Sequence, residues 1–231
     1  MKLNEILLEM SASEESTLKS KDWDSITDLE KWLESEGYSL VGQGNFSKVF
    51  RKGLAKRVVK VTVYDDDCWR DYAQYAMSVG VSNPYVLKIS WLRHVAPEDT
   101  EYEEKFMISV LESLIPFNND TLDQVSDPAC LAGIILLAVD EITPIDPDVD
   151  PITLQMLENR YEELEGNVDY DEMREKYRNH RFVRTLKTIL TKSDQSRCRI
   201  DMFADNFMIR ESDGRIVVVD PLASENSEMM G

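Results

Sequence analysis

Between Tyr38 and Leu114 the chain carries five apolar, strand-like runs and one amphipathic helical stretch, in the order β-β-β-α-β-β. The first three runs are Tyr38 to Val41, Lys48 to Arg51 and Arg57 to Val63. A glycine-bearing turn and the loop Lys52-Gly-Leu-Ala separate them, the punctuation that short strands require. Asp66 to Val79 puts Trp69, Tyr72, Ala76 and Val79 on one helical face and stops at Gly80. Two further runs, Val86 to Val95 and Lys105 to Leu114, flank the acidic loop Ala96 to Glu101. Beyond Leu114 the pattern becomes helical until a final hairpin signal. The expected fold class is α+β, with a small β-rich first part and a mainly helical second part.

The flanking segments sharpen this division. Residues 1–22 read as a flexible leader. Asp24 or Ser25 then caps a helix carrying Ile26, Leu29, Trp32 and Leu33, stopped by Gly37. Asp127-Pro128 opens an apolar helix through Leu131, Ile134, Ile135 and Leu137. Asp150 is expected to cap a further helix with Pro151 at its first position. Phe182, Val183, Leu186, Ile189 and Leu190 fit a helix packed on a core. The chain then forms Phe207 to Arg210, the turn Ser212-Asp-Gly214 and Ile216 to Val219, a hairpin. The expected domains are 1–22, 23–114 and 115–231.

Charge narrows the function classes. The net charge is −18, so the surface repels nucleic-acid phosphates, and direct nucleic-acid binding is not expected. Glu141 to Glu175 holds twelve acidic and two basic residues, whereas Lys176 to Arg199 holds eight basic and one acidic. No apolar run approaches the roughly 18 residues of a membrane span. The N-terminal decapeptide is studded with Glu and lacks a basic start, so it does not read as a signal peptide. The three cysteines show neither metal-ligand nor disulfide-framework spacing, and a cytoplasmic, reducing setting is expected.

Five features carry chemistry. Gly42-Gln-Gly44-Asn-Phe46-Ser47 lies between two strand-like runs, where glycines let backbone N–H groups approach phosphate oxygens. Lys60, eighteen residues after Gly42, stands alone in an apolar run. It is either an edge-strand lysine facing water or a cation for the α- and β-phosphates of a nucleotide. Asp201 is suited to accept the proton of an attacking hydroxyl. Asn206 and Asp220 offer hard oxygen ligands for magnesium, and the hairpin between them brings both to one end. Together these are the parts that phosphoryl transfer from ATP uses.

In this order the motifs resemble the eukaryotic-type protein kinase superfamily. They are most similar to the early serine/threonine kinases of autographivirus-type bacteriophages. The resemblance runs from about Asp22 to Ala223, through Val41 to Ser47, Val58-Val-Lys-Val61, Asp201-Met202, Asn206-Phe-Met208 and Val219-Asp-Pro221. It implies a two-lobed, kinase-like fold with a reduced helical C-lobe, and ATP and magnesium as cofactors. It also implies Leu111 as gatekeeper and Glu112 to Leu114 as the hinge reading the adenine edge. The implied substrates are host bacterial proteins of transcription, RNA processing or translation, met in the host cytoplasm.

The chain also departs from that pattern. Ser47 replaces the third loop glycine. No glutamate lies between Lys60 and Glu98, so the usual lysine–glutamate pair has no standard form; Asp71 is the best substitute and Asp67 the next. His-Arg-Asp reads Arg199-Ile200-Asp201, Phe203 replaces a lysine, and Asp-Phe-Gly reads Asp220-Pro221-Leu222. Only eleven residues follow Asp220, so a full activation segment and the later C-lobe helices are not expected. These departures support an alternative: a kinase-like scaffold, weak or inactive in catalysis, that inhibits a host protein through its acidic surface. Asp146-x-Asp148-x-Asp150 imitates a calcium loop, but the position needing glycine is Pro151, so no EF-hand is expected.

Overall fold

The structure is a computed structural model, and it describes residues 9–44, 46–63, 67–80, 82–97, 105–140, 152–196, 198–200 and 206–224. The fold is α+β. Contacts divide the chain into two units, residues 1–73 with 88–113, and residues 74–87 with 114–231. One boundary, between Ser113 and Leu114, lies a residue from the expected one. The segment 74–87, expected in the first domain, groups instead with the second unit.

The first unit is built on a five-stranded antiparallel sheet of β1 (Tyr38–Gln43), β2 (Ser47–Lys52), β3 (Arg57–Val63), β4 (Ile89–Val95) and β5 (Phe106–Glu112). The spatial order is β1-β2-β3-β5-β4, which puts β3 in the middle. Period-two alternation sorts its residues. Phe50, Val59, Val61, Phe106, Ile108 and Val110 belong to one buried cluster with Leu18, Trp23, Leu29 and Leu33. Those last four come from α1 (Ala12–Ser20), α2 (Ile26–Ser35) and the link between them, so two helices cover this face.

The segment expected to be a flexible leader is therefore structured over its described part. Ser11 caps α1 through a capping box with Glu14, whose carboxylate also accepts from Lys52 on β2. Glu15 pairs with Arg57 of β3 at 3.2 Å, and Arg93 of β4 donates to the carbonyls of Leu18 and Lys21. Burial works to raise the Glu14 pKa, but hydrogen bonds from Lys52 and Ser11 hold it below the usual carboxylate range. Glu15 is lowered as well, chiefly by Lys19 and then by Arg57. The sequence reading missed α1 because its apolar face is a single leucine; ionic contacts fasten the rest. Ser25 caps α2, accepting from the Asp28 N–H at 3.1 Å.

The second unit holds α4 (Pro128–Val139), α5 (Leu154–Glu165), α6 (Tyr170–Tyr177) and α7 (Arg181–Ser196). Helix α3 (Asp67–Val79) is divided between the units after Ala73. Helix α4 is apolar all round and correspondingly buried from Ala129 to Ile135, with Asp127 as cap and Pro128 inside the first turn. Gly133 admits the Phe182 ring of α7, since an added Cβ would lie 2.8 Å from that ring. Thr153, not Asp150, caps α5; its hydroxyl accepts from the Met156 N–H. Asp146 to Pro151 lie outside the described residues, and with them the expected cap and the calcium-loop imitation.

Two small sheets complete this unit. One has the order β6 (Ile115–Pro116), β8 (Phe207–Arg210), β9 (Arg215–Val218); the other pairs β7 (Cys198–Ile200) with β10 (Leu222–Ser224). The buried Arg210 donates to the carbonyls of Pro84 and Val86, and the Val218 N–H donates to Tyr85 O. Those bonds fasten residues 84–86 to the hairpin and explain why this stretch joins the second unit. Among the described residues, no helix is long and apolar enough to cross a membrane.

Candidate nucleotide site

The sheet of the first unit sorts the expected site residues onto one face. Cα partners run Gly42 to Val49, Val49 to Lys60 and Lys60 to Ser109, so these four stand in one row across four strands. Val58 pairs with Leu111 two residues away on the same face. This is the face opposite the α1–α2 cluster. With strands about 4.8 Å apart, Gly42 and Lys60 lie about 10 Å from each other.

Lys60 is 7% exposed and occupies the central strand, which overturns the edge-strand reading of this lysine. Its Nζ lies 3.6 Å from the centroid of the Trp69 ring on α3. Trp69 is itself 1% exposed. Asp71, expected to substitute for the missing glutamate, instead has its carboxylate 3.9 Å from Arg70. An aromatic face, not that acid, meets the lysine. The Asp67 side chain lies outside the described residues.

The turn between β1 and β2 closes with the Gly44 N–H donating to Ser47 O at 2.9 Å; Phe46 and Ser47 are half-buried, and Asn45 is outside the described residues. A register shift between Leu40 and Gly42 bends β1 just before it. The two loop glycines are not demanded by the fold. Gly37, Gly53, Gly166 and Gly214 have positive φ, and Gly80 and Gly133 have no room for a Cβ. Gly42 and Gly44 have neither property: an added Cβ would meet Val49 at 3.7 Å or the Ser47 hydroxyl at 3.8 Å, ordinary contacts. Among the described glycines, these two alone lack a reason internal to the chain.

At the far end of β5, Leu111 is buried. The Glu112 N–H donates to Lys88 O, and the Glu112 carboxylate accepts from the Lys88 N–H at 2.9 Å. The Glu112 side chain therefore fastens β5 to the residue before β4. Leu114, half-buried, begins the second unit directly after Ser113, whose N–H donates to Lys56 O.

In the second unit, Asn206 and Asp220 lie at the same end of the β8–β9 hairpin. Phe207 pairs with Val218, and the Val219 N–H donates to Asn206 O at 2.9 Å, so Asp220 follows directly. Both side chains are half-buried. Asp201 lies outside the described residues. The residue before it, Ile200, pairs with Leu222, two residues after Asp220. Ile200 and Asn206, the described residues on either side of 201–205, thus both pair with the stretch 219–222. Pro221 follows the aspartate directly, and β10 begins at the next residue, Leu222.

Magnesium fits this donor set. The ion takes one or two protein carboxylate or amide oxygens and completes its shell with water and phosphate oxygens. Accordingly no cluster of three His, Cys, Asp or Glu residues is needed, and none occurs among the described residues. Sequence reasoning did not foresee that the Trp69 ring would lie against Lys60. It took that residue only as part of the buried helical face. No protein-family model matches the chain, and no curated protein matches it either.

Proposed function

We propose that the chain is a protein kinase that transfers the γ-phosphoryl group of ATP to serine or threonine hydroxyls. The observation that carries this reading is the double pairing in the second unit. Ile200 pairs with Leu222 and Asn206 with Val219, so the described residues on either side of 201–205 both meet the stretch that contains Asp220. The sequence order of the motifs and the Gly42–Val49–Lys60–Ser109 row support it.

Each residue then has a role. Asp201 accepts the proton of the substrate hydroxyl as that oxygen bonds to the γ-phosphorus and the bond to the bridging oxygen breaks. Asn206 and Asp220 hold the metal. Magnesium, when bound, neutralises charge on the phosphates. Lys60 supplies a fixed cation for the α- and β-phosphates, and the backbone at Gly42 and Gly44 lies against phosphate oxygens. Main-chain groups of Glu112 to Leu114 read the adenine edge beside Leu111. By the family resemblance the substrates are proteins of a bacterial host, met in its cytoplasm during phage infection.

The experiment is thermal unfolding with and without ATP and magnesium. A ligand at one hundred times its Kd stabilises by about 2.7 kcal/mol. Wild type should melt higher with both present, and Asp220→Asn should lose most of that gain. No rise for wild type at roughly millimolar ATP would contradict the reading.

One observation favours a second reading. The acidic side chains Glu162, Glu163, Glu165, Asp171, Glu172 and Glu175 of α5 and α6 are exposed, a surface suited to a basic partner. A kinase-like scaffold that inhibits a host protein would use it. Tight binding of a basic host protein that survives Asp220→Asn, without labelling of that protein, would mark this alternative.

A further inference from the structure

We infer that the second unit carries a docking groove for an acidic segment of a partner protein, one that presents a large apolar side chain between carboxylates. The groove lies between α4, α6 and α7 and shares no residue with the nucleotide site.

Its floor is apolar. Leu136 and Leu137 of α4, with Val183, Leu186 and Leu190 of α7, line a cavity of about 260 Å³. An apolar cavity of about 150 Å³ takes a benzene ring, so this one admits an aromatic or branched aliphatic side chain. Leu136, Val183 and Leu190 stay partly exposed, apolar surface that a seated side chain would bury.

Its mouth is basic. Arg174, Arg178 and Lys187 line it, with Asp140 as the acid among the lining residues. Arg174 is committed to Asp140 at 2.8 Å and Asp171 at 3.1 Å, and so clasps α6 to the end of α4. Arg178 pairs with Glu175 at 3.2 Å. The exposed Lys187 ammonium has no carboxylate partner among the described residues, which leaves it for a ligand. Arg181, Arg184 and Lys192 are exposed on the same side of α7, and no acidic residue lies between Arg181 and Lys192.

In a chain of net charge −18 this face is locally inverted, and it selects an anionic partner. From Arg181 to Lys192 the helix runs about 16 Å, farther than one small anion reaches, so the ligand that meets the whole face is an extended chain. The cavity is aliphatic except for Tyr177, which offers little stacking surface to a nucleobase. The exposed acids of α5 and α6 repel a polyphosphate chain as well. A peptide with carboxylates around one apolar anchor satisfies both the floor and the mouth.

The test is fluorescence anisotropy with short labelled synthetic peptides and the full chain. One peptide carries glutamates on both sides of a single tryptophan; a second has alanine for the tryptophan, and a third has glutamine for the glutamates. Wild type should bind the first with micromolar affinity and the other two at least roughly tenfold more weakly. Lys187→Glu should weaken the first peptide roughly tenfold, and Lys187→Arg should leave it unchanged. Leu190→Ser should weaken the tryptophan peptide and not the alanine peptide. Circular dichroism confirms that each variant is folded, and the exposed Lys187 gives a variant that reports even if Leu190→Ser does not fold. No binding of the first peptide, or equal binding of the alanine peptide, would overturn the proposal. Tighter binding of a single-stranded oligonucleotide or of phosphatidylglycerol vesicles, lost in Lys187→Glu, would give the face to another ligand and overturn it too. Self-association lost in Lys187→Glu would give the groove to a second copy of the chain. No nucleotide is present, so each outcome is independent of the kinase reading.

Discussion

Lys60 is a cation in the middle strand of a sheet, a position that costs stability unless something uses the charge. Replacing it by methionine should lower phosphoryl transfer by a factor of roughly a hundred or more in a protein that still folds. A large loss of stability would instead mark the lysine as structural. The loop glycines make a parallel case. Neither Gly42 nor Gly44 is held by positive φ or by crowding, so Gly42→Ala and Gly44→Ala should fold as well as wild type and bind ATP roughly tenfold more weakly. Gly133→Ala should do the reverse. Its added methyl meets the Phe182 ring, and a destabilisation of about 1–3 kcal/mol is expected, with ATP affinity retained. Chemical denaturation and calorimetric titration of the three variants separate the two classes of glycine.

Among the elements, the strands were legible because alternation and turn residues agree. Arg57 to Val63 and Phe207 to Arg210 stand where the sequence places them. Helix α3 was legible from Trp69, Tyr72 and Ala76, and α4 from its uninterrupted apolar run with Asp127 and Pro128 at its start. Helix α1 was not. It is fastened by ion pairs reaching 38 and 42 residues along the chain, from Glu14 to Lys52 and from Glu15 to Arg57, and such contacts leave no periodic trace. That fastening has a pH signature. Both glutamates have folded pKa values lowered from the ordinary 4.5, so their contribution is complete above that value and disappears as the pH falls through the lower folded values. Glu14→Gln should cost about 1–3 kcal/mol at neutral pH. The stability gap between it and wild type should close as the pH drops below 4.5. Urea melts at pH 7 and at about pH 3.5 would show it; a gap that stays constant would refute the charged pairing.

For the whole molecule, the α+β class was readable from the strand-like runs before Leu114 and the helical pattern after it. Two things were not. Which face of α3 meets Lys60 depends on the orientation of that helix: Asp71 was the expected partner, but its carboxylate lies toward Arg70, and the Trp69 ring lies against the lysine. The membership of residues 74–87 depends on Arg210, a buried cation that binds the carbonyls of Pro84 and Val86 more than 120 residues away. Neither partnership has a local pattern. The central claim concerns the molecule as a catalyst, and the most direct measurement is label transfer from γ-labelled ATP. Wild type and Asp201→Ala would each be incubated with magnesium and a bacterial lysate. The account predicts labelled serine and threonine in wild-type reactions, with incorporation reduced at least about a hundredfold in the variant. Equal labelling by both, or none by a folded wild type that binds ATP, would contradict it.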